Sequence, residues 1–329
     1  MHDVYAALAR VPFFKNVRPE AIEFERLNGA LTNISYKVKV DGVAYALRLA
    51  GEGTSDYIDR SAEEHNARVA AAAGVGAEVL YFDARDGTMV TRFVDGNAMN
   101  TGEGFGRDAG APVRAARALR RVHTLGRLFR SRFDPFTAIH GYLDLLRERR
   151  TPLPEGYHEG GRKARAVRRA LEECPAPLVP CHNDPWPGNL LDADGRIYLI
   201  DWEYSGMNDP MWDLADLSVE AGFGPEQDSV MMETYRGDTA SAALSSRLEL
   251  YKAMSDLHWS LWGFVQHAEG NPAEDFWGYG LERLRRSEAR MSSADFTHHL
   301  GVVRRSGVQL HGPYSDAPAL RSLNYGAEI

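Results

Sequence analysis

The sequence predicts an α+β chain in two unequal parts: a small antiparallel sheet with one helix over residues 1–95, and a larger, mainly helical part over residues 96–306. Two observations predict it. Short runs of alternating apolar and polar residues, joined by Asp-Gly pairs, crowd the first third of the chain, and such pairs are strong hairpin signals. Beyond Asp95-Gly96 the apolar spacing changes to the three-and-four rhythm of helices.

Taken in order, residues 1–20 read as a short helix and a loop. Ile34–Val40 alternates, and 44–49 answers it across Asp41-Gly42. The Ala-rich run 61–73 reads as a helix stopped by Gly74 and Gly76. A second strand pair, 79–82 and 89–94, flanks Asp86-Gly87. Helices are expected over 112–125, 136–149 and 161–173, short strands and loops over 178–206, then helices over 210–221, 242–267 and 272–291. From Ser306 onward Pro, Ser, Gly and Asn dominate, so 307–329 reads as a tail lying on the surface or disordered.

Composition excludes several classes. Apolar residues make up 44 % of the 329, as in a folded globular chain. No apolar run approaches the ~20 residues of a membrane span. The opening Met1-His2-Asp3-Val4-Tyr5 lacks the basic start and apolar stretch of a signal peptide, and Cys174 and Cys181 have the wrong spacing for a Cys-x-x-Cys pair. A cytoplasmic location is expected. A net charge of −8 argues against nucleic acid as a partner. One stretch runs against that balance: residues 101–170 hold 16 Lys and Arg against 7 Asp and Glu. Arg114, Arg117, Arg120 and Arg121 interleave with Ala116, Leu119 and Val122 at helical spacing, which favours solvated helix faces over a phosphate-binding surface.

The chemistry concentrates in Cys181-His182-Asn183-Asp184-Pro185-Trp186-Pro187-Gly188-Asn189 and in Ile200-Asp201-Trp202-Glu203-Tyr204. Phosphoryl transfer needs a carboxylate to orient the attacking hydroxyl and oxygen ligands to hold magnesium against the phosphates. Asp184 and Asn189 lie five apart in a Pro/Gly-rich loop that cannot be a continuous helix. Asp201 follows the apolar run 197–200, so its carboxylate is presented at a strand end. Turn formation is the competing explanation for so many Asn, Asp, Pro and Gly residues.

This segment, continuing through Ser205-Gly206-Met207-Asn208-Asp209-Pro210 to Asp213, resembles the choline/ethanolamine kinase family, and its LicA-like branch in particular. The resemblance spans roughly residues 25–290. It implies a two-lobed, protein-kinase-like fold, ATP and Mg²⁺ as cofactors, and a small amino alcohol, choline first, as acceptor. It implies Asp184 as catalytic base, Asn189 and Asp201 as metal ligands and Asp213 as a brace for the catalytic loop. In Asn28-Gly29-Ala30-Leu31-Thr32-Asn33 it makes Gly29, Thr32 and Asn33 the phosphate-covering loop. Arg48 becomes the phosphate contact, oriented by Glu63 or its neighbour Glu64, and Phe93 lies in the hinge that would hold adenine.

A quaternary ammonium has no N–H to donate, so its recognition falls to aromatic faces and carboxylates. Trp259, Trp262, Tyr279 and Glu220 match the family's acceptor pocket, with Trp186 and Glu203 beside the catalytic loop. Trp259 and Trp262 also share one helix face, as a plain core stripe would. Ethanolamine kinase, an aminoglycoside- or thiamine-type phosphotransferase, and a binding module without turnover are the competing functions. The last predicts missing catalytic groups, whereas Asp184, Asn189 and Asp201 are present.

Overall fold

The computed structural model describes residues 2–306 apart from 30, 52–53, 55–56, 101–104 and 106–107. The expected tail at 307–329 lies outside the described residues. The two-lobed α+β arrangement is present. In the first part, α1 (His2–Arg10) precedes strands β1 (Ile22–Leu27), β2 (Ile34–Val40), β3 (Val43–Leu49), β4 (Val79–Asp83) and β5 (Thr88–Arg92). They form one antiparallel sheet in the order β1-β2-β3-β5-β4. Asp41 and Gly42 both take positive φ, 50° and 77°, the two-residue turn whose twist matches a hairpin. The helix α2 (Arg60–Ala72) is capped by the Asp59 carboxylate, which accepts from the Ser61 and Ala62 amides. Val4, Leu8, Val11 and Phe14 pack on Val38, Leu47 and Val90, so this sheet has a small core of its own.

Strand β1 was not anticipated. Its Ile22 and Phe24 alternate with Glu23 and Glu25, but it is a half-exposed edge strand with few apolar residues to mark it.

The second part contains β6 (Asn97–Ala98), α3 (Ala111–His123), α4 (Pro135–Glu148), α5 (Tyr157–Glu173) and β7 (Val179–Cys181). Next come β8 (Leu190–Ala193), β9 (Arg196–Leu199), β10 (Gly206–Asn208) and α6 (Pro210–Glu220). It ends with α7 (Pro225–Arg236), α8 (Ala242–Ala268), α9 (Phe276–Ser292) and α10 (Ala294–Arg305). Helix α8 is the axis of the large core, its 27 residues buried on nearly every side because α4, α6, α9 and α10 pack against it. Helices α7 and α10 were missed by the sequence analysis, and α9 starts four residues later than expected. Both missed helices are amphipathic with few buried residues, so their signal is weak.

The second part holds two small sheets, β6-β8-β9 and β7-β10. The Leu199 amide donates to the Val75 carbonyl at 2.8 Å, tying β9 to the chain just after α2. None of the described helices is long and apolar enough to cross a membrane.

Candidate active site

The loop 182–189 follows β7 and precedes β8, and buried polar bonds set its shape. Asp213, fully buried in the first turn of α6, accepts from the His182 amide at 2.8 Å and the Asn183 amide at 2.7 Å. His123 Nε2 lies 2.9 Å from the same carboxylate. Asn183 takes a left-handed φ of 68°, unusual for a residue other than glycine. Several bonds hold it there. Its side chain donates to the Tyr204 carbonyl at 2.9 Å and accepts from Asn208 at 2.9 Å, while its carbonyl accepts from Trp212 at 3.1 Å. His182 is buried and its Nε2 donates to the Ile200 carbonyl at 2.9 Å, while burial lowers its pKa. The expected brace at Asp213 is thus an observed set of hydrogen bonds.

On this scaffold Asn189 Nδ2 donates to the Asp184 carbonyl at 3.1 Å and to its carboxylate at 3.2 Å. Among the described residues the amide oxygen of Asn189 accepts no hydrogen bond. Burial first, then the charges of Asp216, Asp201, Glu220 and Glu203, raise the Asp184 pKa well above the usual carboxylate range. Gly188 lies against Trp186, where a Cβ would meet the indole ring at 2.0 Å, so only glycine fits beside that ring.

Across the cleft Arg48, itself buried, sits 2.5 Å from Glu63 and 2.9 Å from Asp201. Glu64 instead faces Arg68 on the outside of α2 at 3.0 Å, so Glu63 is the carboxylate that meets Arg48. Asn33 Nδ2 donates to Asp201 at 3.2 Å and to Glu203 at 3.3 Å. Arg60 joins Glu63 at 2.7 Å to Glu203 at 3.1 Å. Burial, with the Asp201 charge and against Arg48, pushes the Glu203 carboxyl up to about 7. Oxygens of Glu63, Asp201 and Glu203 come within 4.8 Å of one another. Hard oxygen donors of this kind suit a divalent cation such as magnesium.

The third side is aromatic. Tyr204, Trp259, Trp262 and Tyr279 form a chain of edge-to-face contacts with ring centroids 5.5, 5.8 and 5.9 Å apart. Asp216 lies fully buried behind it, accepting from Trp259 Nε1 at 2.7 Å and Ser255 at 2.6 Å. That bond fixes the plane of the Trp259 indole. Glu220 is bound by Arg283 at 2.5 Å, and the same guanidinium lies 5.0 Å from the Tyr279 ring centroid.

A single cleft of about 740 Å³ is lined by Gly29, Thr32, Asn33, Arg48 and Phe93 on one side and by Asp184, Trp186, Asn189, Asp201 and Glu203 at its floor. Glu220, Trp259, Trp262 and Tyr279 line its far end. Of the residues singled out in the sequence for cofactor, metal or substrate contact, Glu63 alone stands behind this lining. Tyr204, Arg60, Asp216 and Arg283 were not given roles from the sequence. Tyr204 lies within the quoted motif, but nothing local marks the other three, because each meets a partner distant in the sequence: Glu203 for Arg60, Trp259 for Asp216 and Glu220 for Arg283.

The sequence profile of the phosphotransferase enzyme family matches residues 23–246. The chain belongs to that family. Its likeness runs to the LicA-like choline/ethanolamine kinases. Protein LicA of Haemophilus influenzae is 30 % identical over 281 residues, covering 82 % of this chain and 80 % of the relative. A choline/ethanolamine kinase family protein from Mesorhizobium loti superposes with a TM-score of 0.80 at 42 % identity, covering 92 % of this chain and 98 % of that one. For the choline kinase LicA from Streptococcus pneumoniae the values are 0.75 and 26 %, with 88 % and 99 % covered. This member of the phosphotransferase enzyme family is therefore an enzyme with an alcohol group as acceptor, on the kinase-like fold the resemblance implied.

Proposed function

We propose that the enzyme transfers the γ-phosphoryl group of ATP to the hydroxyl of choline, forming phosphocholine. The observation that carries this reading is the aromatic wall of Tyr204, Trp259, Trp262 and Tyr279 in the same cleft as Asp184. A methylated ammonium is attracted to aromatic faces and needs no hydrogen-bond acceptor, and a desolvated contact of this kind is worth ~2 kcal/mol. Because Arg283 neutralises Glu220, that carboxylate acts as part of the wall's frame more than as a free counter-ion.

The nucleotide lies between the loop of Gly29, Thr32 and Asn33 and Arg48, with adenine near Phe93. Arg48 offers a planar fork to phosphate oxygens, and Glu63 holds its orientation. Residues 1–95 serve as the nucleotide-binding lobe and 96–306 as the acceptor lobe. Asp184 accepts the proton of the choline hydroxyl as that oxygen bonds to the γ-phosphorus and the bond to the ADP oxygen breaks. The raised proton affinity of Asp184 favours this transfer. Asn189, through its amide oxygen, and Asp201 hold Mg²⁺, which neutralises phosphate charge when bound. The need for ATP points to the cytoplasm.

Initial rates of ATP turnover across choline, ethanolamine, thiamine and kanamycin test the reading. Choline should give the highest kcat/KM. An aminoglycoside or ethanolamine used far more efficiently would return the tryptophans to a packing role.

A further inference from the structure

Outside the cleft, α3 and the β8–β9 hairpin line an open concave face of about 530 Å³ that carries Arg114, Arg117, Arg120, Arg121 and Arg196. Arg114 is neutralised there, with Asp108 and Asp192 each at 2.5 Å. The other four are not: among the described residues none has a carboxylate within ion-pair distance. Arg121 donates to the Ile197 carbonyl at 3.3 Å, and Arg196 donates to the Gly74 carbonyl and lies 4.8 Å from the Tyr198 ring centroid. These bonds hold guanidinium groups in place without cancelling their charge. On α5, by contrast, Arg162 meets Glu159, and Arg168 meets Glu172 at 2.7 Å. The sequence pattern had favoured a solvated helix face for the α3 arginines, but a second element supplies Arg196 opposite them. Burial and then the Arg196 charge lower the Arg121 pKa, as expected where like charges converge.

We propose that this face binds a compact multivalent oxyanion of the phosphomonoester or pyrophosphate class, at a site separate from the catalytic cleft. Guanidinium groups match phosphate oxygens through paired N–H bonds, and an anion there relieves the mutual repulsion of four unpaired cations. The arginines come from two elements around one concavity, which suits a small anion better than a flat membrane surface. Arg196 opens β9, and β9 ends two residues before Asp201. A bound anion therefore links α3 to the strand that presents Asp201.

Calorimetric titration of the full chain with inorganic pyrophosphate, in metal-free buffer at physiological ionic strength, tests the site. Wild type is compared with Arg117→Gln/Arg120→Gln and with Arg48→Gln, which weakens phosphate binding in the cleft. The expected result is binding that persists in Arg48→Gln and weakens at least tenfold in the double variant, whose circular dichroism stays unchanged. Binding untouched by the double variant overturns the proposal, as does no binding by wild type. Binding seen only to phosphatidylserine vesicles, and lost in the double variant, overturns it in favour of a membrane. If Arg48→Gln does not fold, tungstate soaked into crystals locates the anion. Density among these arginines supports the site, and density confined to the cleft refutes it.

Discussion

Replacing His258 by phenylalanine should flatten the acid side of the stability profile. His258 is fully buried, packed against Trp259, Tyr142 and Trp212 with ring centroids 4.8, 5.2 and 5.7 Å away. Among the described residues neither ring nitrogen has a hydrogen-bond partner, and burial lowers its pKa from 6.5 to about 3. The unfolded chain takes up a proton on this imidazole near pH 6.5, whereas the folded chain refuses it until about pH 3. Throughout that window the unfolded state binds more protons, so stability is complete above 6.5 and declines as pH falls. Linkage over that pKa difference makes the loss from this residue about 2 kcal/mol between pH 7 and pH 5. Urea unfolding of wild type and His258→Phe at both pH values measures it. The variant should lose about 2 kcal/mol less than wild type over that interval. Its phenyl ring also removes two unsatisfied buried nitrogens, so it should fold at neutral pH. Parallel losses in the two proteins would refute the reasoning, because they would mean the imidazole is solvated or paired in the fold.

Four further outcomes concern the cleft. Asp184→Asn should lower kcat by roughly two or more orders of magnitude with little change in nucleotide affinity, the scale of general-base catalysis. Because burial and neighbouring carboxylates raise the Asp184 pKa, the acid limb of the wild-type pH–rate profile should lie above the ordinary carboxylate range, with activity rising as pH rises through it. Activity should require Mg²⁺ or Mn²⁺, and Asp201→Ala should remain inactive at any practical metal concentration; turnover that survives a chelator contradicts the kinase chemistry. Trp259→Ala should raise the choline KM at least tenfold and leave the ATP KM nearly unchanged, since a lost contact of ~2 kcal/mol is about thirtyfold in affinity. If that variant unfolds, Tyr279→Ala, at a position less deeply buried, carries the same comparison.

What the sequence determined by itself is local. The Asp41-Gly42 turn needs only two residues that tolerate positive φ, and the flanking alternation sets its strands. Asp184, Asn189 and Asp201 are legible for the same reason, since a short loop and one strand carry them. Asp213 entered through the same family motif. Element ends and weakly apolar elements were lost: β1, α7 and α10 bury too little to mark themselves. Only the tertiary structure decided matters that depend on distant partners. It chose Glu63 over Glu64 for Arg48, because helix rotation points one carboxylate inward and its neighbour outward. Trp259 and Trp262 proved to be both core and cleft wall, two possibilities that a shared helix face could not separate. Glu220 stood in the sequence as an uncompensated charge until α9 brought Arg283 to it. In the same way α3 and β9, more than 70 residues apart, turned a solvated-looking arginine stripe into one wall of a concave site. Hydrogen-bond turns and strand patterns act over a few residues and are written in order along the chain, whereas charge pairing and burial act through space and exist only once the chain has folded.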